Sequence, residues 1–557
     1  MNIKTRDYFV FLSFFLGVLL VHWPARNAGF VSDFLGWQEL YDKGPWWAFI
    51  YSFGYGGHQQ VLQLINYSMY KAFGTYGLPW YLLFCLFHTL NGWLLYFLLL
   101  KISELWGTPY GRFTAIFGAL FFLFSPYHPE VTVWRVCLHY MISGICTLAA
   151  LLCTMQYLTH GRTRVLWYAH GWMLLNLFTL ELALAIPLLT HGLLIGWQFS
   201  ATRAKSADGE DGEEAHRTIR WLQVFKFMTL PQIGLYILFF VFNKITLGQW
   251  VGHYGEKRML QFDGVKMLSA PLKYVVKPVF FARHWSHGDK TQLFNWMSTD
   301  FIVLMGYLLL TAMALSVVFL RNGLPGRIKV SVVLLWLGVL AAFPVSNLHF
   351  EWLLYNENDR YGYMTALFVL PIVAILFSWL ARWWKYFAAC LYLILSIHLM
   401  SLSIGDWAEM ERIYRKLLRE FVWFDKKELY VLSLADNYEG IWMFRNYVKG
   451  SALADAFKIT EHRDLSIDTH EIAFYNMNSS EDGITASIPD PKDGLIRVQF
   501  DQWGNWWWLY GLGAKDYETD EYSVEFKDNW YNLRLKNPSP DAVFIYQSGD
   551  GWKTLSR

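Results

Sequence analysis

A long series of apolar runs, each near the length that crosses a bilayer, constrains this chain more than any other feature. Examples are residues 8–23, 80–100, 224–242, 302–319, 330–343 and 386–402. A helix needs roughly 20 apolar residues to span a bilayer, and lipid tolerates only backbone whose hydrogen bonds are satisfied internally. With 55% hydrophobic and 17% charged residues over 557 positions, the chain is too apolar for an ordinary soluble domain. The sequence therefore predicts an α-helical polytopic membrane protein.

Run length and the distribution of basic residues together predict about eleven transmembrane helices. Their approximate bounds are 8–23, 80–100, 113–126, 131–158, 165–179, 182–198, 222–243, 301–320, 330–346, 362–381 and 386–404. Lys4 and Arg6 precede the first run and no good cleavage site follows it, which predicts a signal anchor with a cytoplasmic N-terminus. An odd number of spans then places the C-terminal end outside. We expect a multi-pass protein of a cell membrane of the bacterial inner-membrane type, with an extracytoplasmic C-terminal domain.

The pattern changes after residue 404, where a charged helix over Trp407–Phe424 is predicted. Alternating apolar and polar positions then predict strands, which are Leu429–Leu434, Leu495–Phe500, Tyr522–Phe526 and Ala542–Gln547. Residues 428–557 hold 12 Lys+Arg and 21 Asp+Glu, whereas the preceding residues hold 35 and 24. We therefore predict a transmembrane domain over 1–405, a connecting helix over 406–427 and an acidic, β-rich (α+β) domain over 428–557.

Several kinds of site are absent from the sequence pattern. The five cysteines lie within or beside apolar segments and form neither a disulfide framework nor a CxxC metal site. No dense acidic cluster indicates a divalent ion, so we predict that the protein works without a metal or cofactor. The net charge of +2 argues against a nucleic-acid partner, and no phosphate-cradling glycine loop indicates direct use of a nucleotide sugar.

Five polar residues near the predicted external surface are candidates for chemistry. Asp33 and His58 lie in the first external loop, and His128 and Glu130 lie in a turn too tight to leave that surface. Each of these has a plain alternative as a helix cap or interfacial residue. Glu181 is more telling, because a carboxylate beside an apolar span is costly unless it pairs or lines a polar cavity.

Basic residues near the same surface are candidates for binding an anion. Arg360 offers a planar charged fork that suits phosphate, although a snorkelling arginine or one paired with Asp359 is an equal alternative. The loop over 244–300 carries eight basic residues, among them Arg283. A solvated or interfacial amphipathic segment is the favoured interpretation of this loop, and an anion site is the alternative.

Five motifs, taken in chain order, resemble those of the GT-C membrane glycosyltransferases, above all the protein O-mannosyltransferases. They are Phe30-Val31-Ser32-Asp33, the helix Leu86–Leu95, His128-Pro129-Glu130 with Trp134, Leu180-Glu181 through Pro187, and Asp359-Arg360-Tyr361-Gly362-Tyr363. The resemblance covers roughly residues 5–405, and the order of the motifs is more specific than any one of them.

The resemblance implies an enzyme that moves a sugar, with inversion, from a polyprenyl-phosphate donor in the bilayer to an extracytoplasmic protein or glycan. It implies that Asp33 is the base that takes the acceptor's proton and that Arg360 neutralises the departing lipid phosphate. It further implies that Arg283 is a second phosphate contact, while His128, Glu130, Glu181 and His58 order the pocket.

Two other classes of function stay open on the sequence. A transporter or flippase of a lipid-linked saccharide would use the same intramembrane carboxylates to bind its cargo. A non-catalytic membrane scaffold would use the acidic domain to recruit a partner. The tryptophan-rich run over 501–508 is favoured as core or interface anchors, with sugar stacking as the alternative.

Overall fold

The computed structural model separates the protein into two compact units. Unit 1 comprises Met1–Arg26, Pro45–Val133 and Cys137–Ser403, and unit 2 comprises Asn27–Gly44, Trp134–Val136 and Ile404–Arg557. The structure describes residues 5–45, 57–108, 111–200, 219–250, 264–320, 322–346, 359–444, 451–465, 468–477, 483–489, 494–500, 506–507, 515–537 and 539–555.

Unit 1 is built from helices throughout its described residues. They are α1 (Thr5–His22), α3 (Gln60–Phe73), α4 (Gly77–Leu105), α5 (Gly111–Leu123), α6 (Pro129–Val133), α7 (Leu138–His160), α8 (Arg164–Leu177), α9 (Ile186–Ser200), α10 (Trp221–Val224), α11 (Leu230–Leu247), α12 (Gly264–Val279), α13 (His287–Met297), α14 (Asp300–Phe319), α15 (Gly326–Ala341), α16 (Tyr363–Phe377) and the first part of α17 (Arg382–Arg419). Short 3-10 helices at Glu181–Ala185, Ala282–His284, Phe343–Val345 and Asp359–Gly362 lie between them.

Nine helical segments in the described residues are long and apolar enough to cross a membrane. They are Thr5–Ala25, Gly77–Leu105, Leu138–His160, Glu181–Phe199, Trp221–Leu247, Asp300–Phe319, Gly326–Val345, Asp359–Phe377 and Arg382–Arg419. This confirms the polytopic helical fold. Each of the eleven predicted spans falls on a helix, but α5 has 13 residues and α8 has 14. At about 1.5 Å per residue these two are shorter than the roughly 30 Å hydrocarbon core.

The predicted span over 131–158 is wrong at its start. Pro129–Val133 forms a short helix of its own, and the long helix begins only at Leu138. The apolar character of residues 131–138 concealed this break, because hydropathy does not register an irregular backbone turn between two apolar helices.

Close packing of α4 and α7 depends on a glycine facing an asparagine. The buried Asn91 side chain donates to the backbone oxygens of Met141 at 2.9 Å and Phe87 at 3.0 Å. A Cβ atom at Gly144 would lie 2.2 Å from Asn91 Oδ1. Small residues let transmembrane helices approach, and interhelical amide hydrogen bonds then hold them.

Unit 2 contains the predicted β-rich domain, which the structure confirms as two sheets. The seven-stranded sheet has the order β12-β11-β1-β4-β7, with β2 and β3 also paired to β1, and the antiparallel five-stranded sheet has the order β5-β6-β10-β9-β8. The strands are β1 (Glu428–Tyr438), β2 (Ile441–Trp442), β3 (Asp468–Glu471), β4 (Phe474–Met477), β5 (Ile484–Ser487), β6 (Leu495–Phe500), β7 (Trp506–Trp507), β8 (Tyr517–Glu518), β9 (Tyr522–Phe526), β10 (Trp530–Leu535), β11 (Ala542–Ser548) and β12 (Gly551–Leu555).

Strand β1 is the centre of the larger sheet. It pairs in parallel with β3 and β4 on one side and with β11 on the other, in the register Glu428↔Ala542. Residues Leu429–Asn437 are buried without alternation, as is typical of a strand covered on both faces. Unit 2 also contains α2 (Asp33–Lys43), α18 (Ala452–Ala456) and the end of α17.

Candidate functional site

The candidate site of unit 1 is a polar cluster formed by Tyr127, Glu130, Lys277, Arg283, Asp359 and Arg360. Asp359 lies at its centre with 1% of its surface exposed. Lys277 Nζ donates to Asp359 Oδ1, and Arg283 Nη1 donates to Asp359 Oδ2, so both carboxylate oxygens accept from a cation. Burying these charges is costly in isolation, and mutual pairing offsets much of that cost.

Arg360 makes the second ion pair of the cluster. Its backbone N–H donates to Glu130 Oε2 at 2.8 Å, and its guanidinium Nη1 donates to Glu130 Oε1. The guanidinium carbon also lies 4.8 Å from the centre of the Tyr361 ring. The alternative of an arginine paired with Asp359 is therefore wrong, since Arg360 is bound by Glu130 while Asp359 binds Lys277 and Arg283.

Tyrosine rings border the charged groups. The Lys277 ammonium lies 5.2 Å from the centre of the Tyr127 ring, and the Tyr127 hydroxyl accepts from the backbone N–H of Arg283. Tyr274 is also buried, and its hydroxyl has no hydrogen-bond partner among the described residues. Burial raises the pKa of both phenols well above the usual value, with the Asp359 charge adding to the effect. Both hydroxyls therefore remain protonated and able to donate.

Further cations lie beside the cluster on the same segment of chain. Lys290 Nζ donates to the backbone oxygen of Arg283 at 3.1 Å, and Lys273 Nζ donates to Ser298 Oγ. Lys273, Lys277, Arg283 and Lys290 are each at most 8% exposed. The favoured interpretation of a solvated or interfacial segment is therefore wrong for these four residues, although Lys244 is exposed as expected. Lys257 and Arg258 lie outside the described residues.

Burial also perturbs the titration of this segment. It lowers the pKa of the Lys273 ammonium to about 8. It lowers the pKa of His284 to about 4, and the neighbouring Arg283 charge acts in the same direction. Desolvation penalises the charged form of each group. His284 is thus a neutral imidazole at neutral pH, whereas Lys273 is poised near its midpoint in mildly alkaline solution.

His128 lies between Tyr127 and Glu130 in sequence, but its own side chain is surrounded by aromatic and histidine rings. Its ring centre is 4.6 Å from that of Phe122, 4.7 Å from Tyr363 and 5.3 Å from His88. Neither of its ring nitrogens has a hydrogen-bond partner among the described residues, and burial lowers its pKa well below the usual value. His128 is therefore a neutral group that fixes the turn bearing Tyr127 and Glu130.

His58, Glu181 and Asp33 are the other predicted site residues that remain to be placed. His58 Nε2 lies 3.3 Å from Thr246 Oγ1, and its ring stacks on Phe242 with centres 4.7 Å apart. Burial lowers the pKa of His58 to about 4. Glu181 is buried at the first position of the 3-10 helix Glu181–Ala185. Asp33 is the first residue of α2 and belongs to unit 2.

The structure thus brings together Glu130, Arg283 and Arg360 of the predicted set and adds Tyr127, Tyr274, Lys277 and Asp359. A signal for the added lysine was present, because Lys273 and Lys277 are four residues apart and share a face of α12. Asp359 lies in the last of the five motifs, whereas Tyr127 and Tyr274 are ordinary aromatic residues with no local signature.

The charges of the cluster favour an anionic ligand. Three cations meet two carboxylates within it, and Tyr274 offers a further hydroxyl. Within the described ranges, no three His, Cys, Asp or Glu side chains are placed to hold a metal ion. Paired guanidinium and ammonium groups with tyrosine donors suit the tetrahedral oxygens of a phosphate.

No protein family model matches the chain, and no curated protein matches it. Crystal structures of ArnT from Cupriavidus metallidurans, one bound to undecaprenyl phosphate and one in the apo state, are similar to it in outline. The first is 12% identical with a TM-score of 0.40, and the match covers 85% of this chain and 93% of that one. The second is 14% identical with a TM-score of 0.37, over 84% and 92%.

The resemblance to GT-C glycosyltransferases lies in the five sequence motifs.

Proposed function

We propose that the protein is a membrane glycosyltransferase that moves a sugar from a polyprenyl-phosphate donor to an extracytoplasmic protein or glycan. The observation that supports this most is that Lys277 and Arg283 both pair with Asp359, the residue next to Arg360. Asp359 and Arg360 begin the apolar helix Asp359–Phe377. A cationic cluster at the end of a membrane helix suits a phosphate whose lipid chain lies in the bilayer.

In this proposal the cluster neutralises the negative charge that develops on the departing phosphate. In an inverting transfer, the acceptor hydroxyl forms a bond to the anomeric carbon as the bond from that carbon to the phosphate oxygen breaks. The departing phosphate keeps the electron pair, and preorganised cations stabilise the charge that develops on it. Arg283 and Arg360 would supply this stabilisation, and the Tyr274 hydroxyl would donate to a third oxygen.

The base is proposed separately, on the sequence resemblance. Both oxygens of Asp359 accept from basic side chains, and the two oxygens of Glu130 accept from the guanidinium and the backbone N–H of Arg360. These carboxylates therefore suit cation positioning rather than proton abstraction. Asp33 keeps the role that the resemblance implies, which is to accept the proton of the acceptor hydroxyl as it attacks.

Binding of undecaprenyl phosphate to the purified protein in detergent tests the role of the cluster. Undecaprenol, which has the same chain without the phosphate, is the matched ligand. We expect native mass spectrometry to show at least tenfold tighter binding of the phosphate form to the wild-type protein, since charge-assisted hydrogen bonds contribute about 1.5–3 kcal/mol each. Arg283→Gln should remove most of that difference.

Arg412→Gln, in unit 2, is the control variant because Arg412 is a half-exposed residue paired with Glu409 and Asp550. Equal binding of the two ligands to the wild-type protein would overturn the proposal. A phosphate preference that survives Arg283→Gln but disappears in Arg412→Gln would move the site away from the cluster.

A further inference from the structure

Asp33, the proposed base, lies in a tight turn whose other residues are buried inside unit 2. Val31, Phe34 and Leu35 are each at most 1% exposed, whereas Asp33 is partly exposed. The backbone oxygen of Val31 accepts from the N–H of Phe34 at 3.2 Å, which closes the turn at the start of α2. The fold thus holds the backbone around Asp33 within the unit and leaves Asp33 itself accessible.

The turn has an unusual backbone conformation at Ser32. Its φ is +53° and its ψ is −121°, the combination that the second residue of a type II′ turn requires and that glycine adopts most readily. A residue with a side chain keeps such a conformation only where the surrounding structure holds it, and strained backbone is concentrated at functional sites. The groups that hold Ser32 are therefore the groups that position Asp33.

The peptide group between Val31 and Ser32 is bound at both of its polar atoms. The Ser32 N–H donates at 3.3 Å to the backbone oxygen of Met443, the residue that directly follows β2. The Val31 oxygen accepts from the indole N–H of Trp134 at 3.3 Å. Both partners belong to unit 2, so two distant segments of that unit fix the strained turn.

One side chain of α17 fixes the chain just before this turn. The Oε2 atom of Glu411 accepts from the Gly29 N–H at 3.1 Å, and its Oε1 atom accepts from Arg415 Nε at 2.7 Å. Glu411 is 5% exposed. The Gly29 oxygen accepts in turn from the backbone N–H of Arg135 at 3.1 Å. Because a charged acceptor makes a stronger hydrogen bond than a neutral one, Glu411 is the side chain best suited to hold this segment.

Helix α2 is anchored to the same unit beyond the turn. The side-chain amide of Gln38, which is 6% exposed, donates to the backbone oxygen of Ile459 at 3.0 Å. Asp33 is therefore held from both sides, through Glu411 before the turn and through Gln38 after it.

We propose that Glu411 is a positioning residue for Asp33, and that unit 2 holds the base in the orientation that sugar transfer requires. The inference rests on the proposed function, because it takes Asp33 as the group that accepts the acceptor's proton. A displacement of about 1 Å in a reacting group can slow a reaction by roughly a hundredfold. The β-rich domain and the end of α17 are thus a support for the catalytic loop.

Steady-state kinetics of Glu411 variants tests the inference. Glu411→Met removes the acceptor for the Gly29 N–H, and Glu411→Gln keeps one oxygen that can accept it. We expect Glu411→Met to lower the kcat of sugar transfer by about tenfold or more with the KM for the lipid-linked sugar unchanged, and Glu411→Gln to restore most of the kcat. Glu409→Met is the matched control, since Glu409 lies on the same helix and pairs with Arg412.

Two further measurements separate positioning from a general structural role. In the Asp33→Asn background, Glu411→Met should cause no further loss of transfer, because the base that it positions is already absent. Hydrogen exchange gives a readout that needs no activity. The amides of residues 29–35 should exchange about tenfold faster in Glu411→Met and at the wild-type rate in Glu409→Met. If Glu411→Met fails to fold, Trp134→Phe removes the indole donor to Val31 and carries the same expectations.

A wild-type kcat in Glu411→Met would overturn the inference, as would an equal loss of transfer in the presence and absence of the Asp33 carboxylate. Wild-type transfer by Asp33→Asn would overturn the assignment of the base and this inference with it. Unchanged kcat and exchange in Glu411→Met, together with a collapse of transfer in Asp33→Asn, would overturn the inference alone.

Discussion

Arg360 donates two hydrogen bonds to the carboxylate of Glu130, a residue 230 positions earlier, one from its backbone N–H and one from its guanidinium. The pair fixes the start of the helix Asp359–Phe377 against the turn that carries Tyr127 and His128. It also fixes the direction of the guanidinium. A single carboxylate thus positions both the backbone and the side chain of the residue proposed to bind phosphate.

Replacing Glu130 should loosen both the start of the helix Asp359–Phe377 and the direction of the Arg360 guanidinium. In Glu130→Gln the guanidinium loses its counter-charge, and we expect a loss of stability on the order of 3 kcal/mol, because removing one partner of a buried pair leaves the other uncompensated. Thermal unfolding in detergent measures the effect. The double variant Glu130→Gln with Arg360→Gln should recover much of the stability but not the binding of undecaprenyl phosphate. A double variant as unstable as the sum of its singles would contradict this pairing.

Asp359→Asn should be more damaging, because it leaves both Lys277 and Arg283 buried without their shared counter-charge. We expect a loss of about 3–5 kcal/mol or failure to accumulate in the membrane. Asp300→Asn makes the same change at an exposed helix start and should cost less than about 1 kcal/mol. Expression level and unfolding temperature of the two variants give the comparison. Similar behaviour of both would show that the Asp359 ion pairs contribute little.

Lys273 should impose a pH dependence on stability. Its pKa is about 8 in the folded protein, below the ordinary lysine value of 10.5, so between these values the unfolded chain binds the proton and the folded protein does not. Stability contributed by this residue therefore rises as the pH increases from about 8 to about 10.5. Lys273→Met should be more stable than the wild-type protein at pH 7.

The gap in unfolding temperature between Lys273→Met and the wild-type protein should narrow between pH 8 and pH 10. Lys244→Met, at an exposed lysine of α11, is the control variant measured over the same pH range. A constant difference for Lys273→Met over the same range would mean that this ammonium is not desolvated.

Asp33→Asn tests the proposed base. The substitution keeps the size of the side chain and removes its ability to take a proton, so sugar transfer in membrane vesicles should fall by at least a hundredfold while expression is unchanged. Asp42→Asn, on the same helix at an exposed position, is the control. The readout is the lipid-linked sugar consumed and the mass of the glycosylated acceptor. Wild-type transfer by Asp33→Asn would refute the assignment.

Comparing Gly144→Ala with Gly171→Ala should distinguish the effect of helix packing on stability from the effect of helix propensity. Its Cβ would fall 2.2 Å from Asn91 Oδ1, so we expect α4 and α7 to be forced apart, with a loss of about 1–3 kcal/mol. Gly171→Ala in α8 meets no atom within 4 Å and should be neutral or stabilising by up to about 1 kcal/mol. The unfolding temperatures of the two variants and the wild-type protein, measured under the same conditions, test this difference in stability. Equal effects would indicate that the Asn91 contact is not tight.

The sequence by itself determined where most elements lie. Each of the eleven predicted apolar runs falls on helix, and period-two alternation located β6, β9 and β11 within a residue, because burial in lipid or in a sheet is encoded by neighbouring residues. The sequence did not show that α5 and α8 are too short to span alone, since hydropathy averages over a helix end.

Only the tertiary structure decided which charges meet. The basic residues of the 244–300 loop are predicted to be solvated or interfacial, yet Lys277 and Arg283 are buried against Asp359, 82 and 76 positions away. His58 is predicted to share a pocket with Glu130 and Arg360, and the structure packs its ring on Phe242 of α11. A charge pair leaves no trace in local pattern, because its stability depends on a partner brought near by the packing of distant helices.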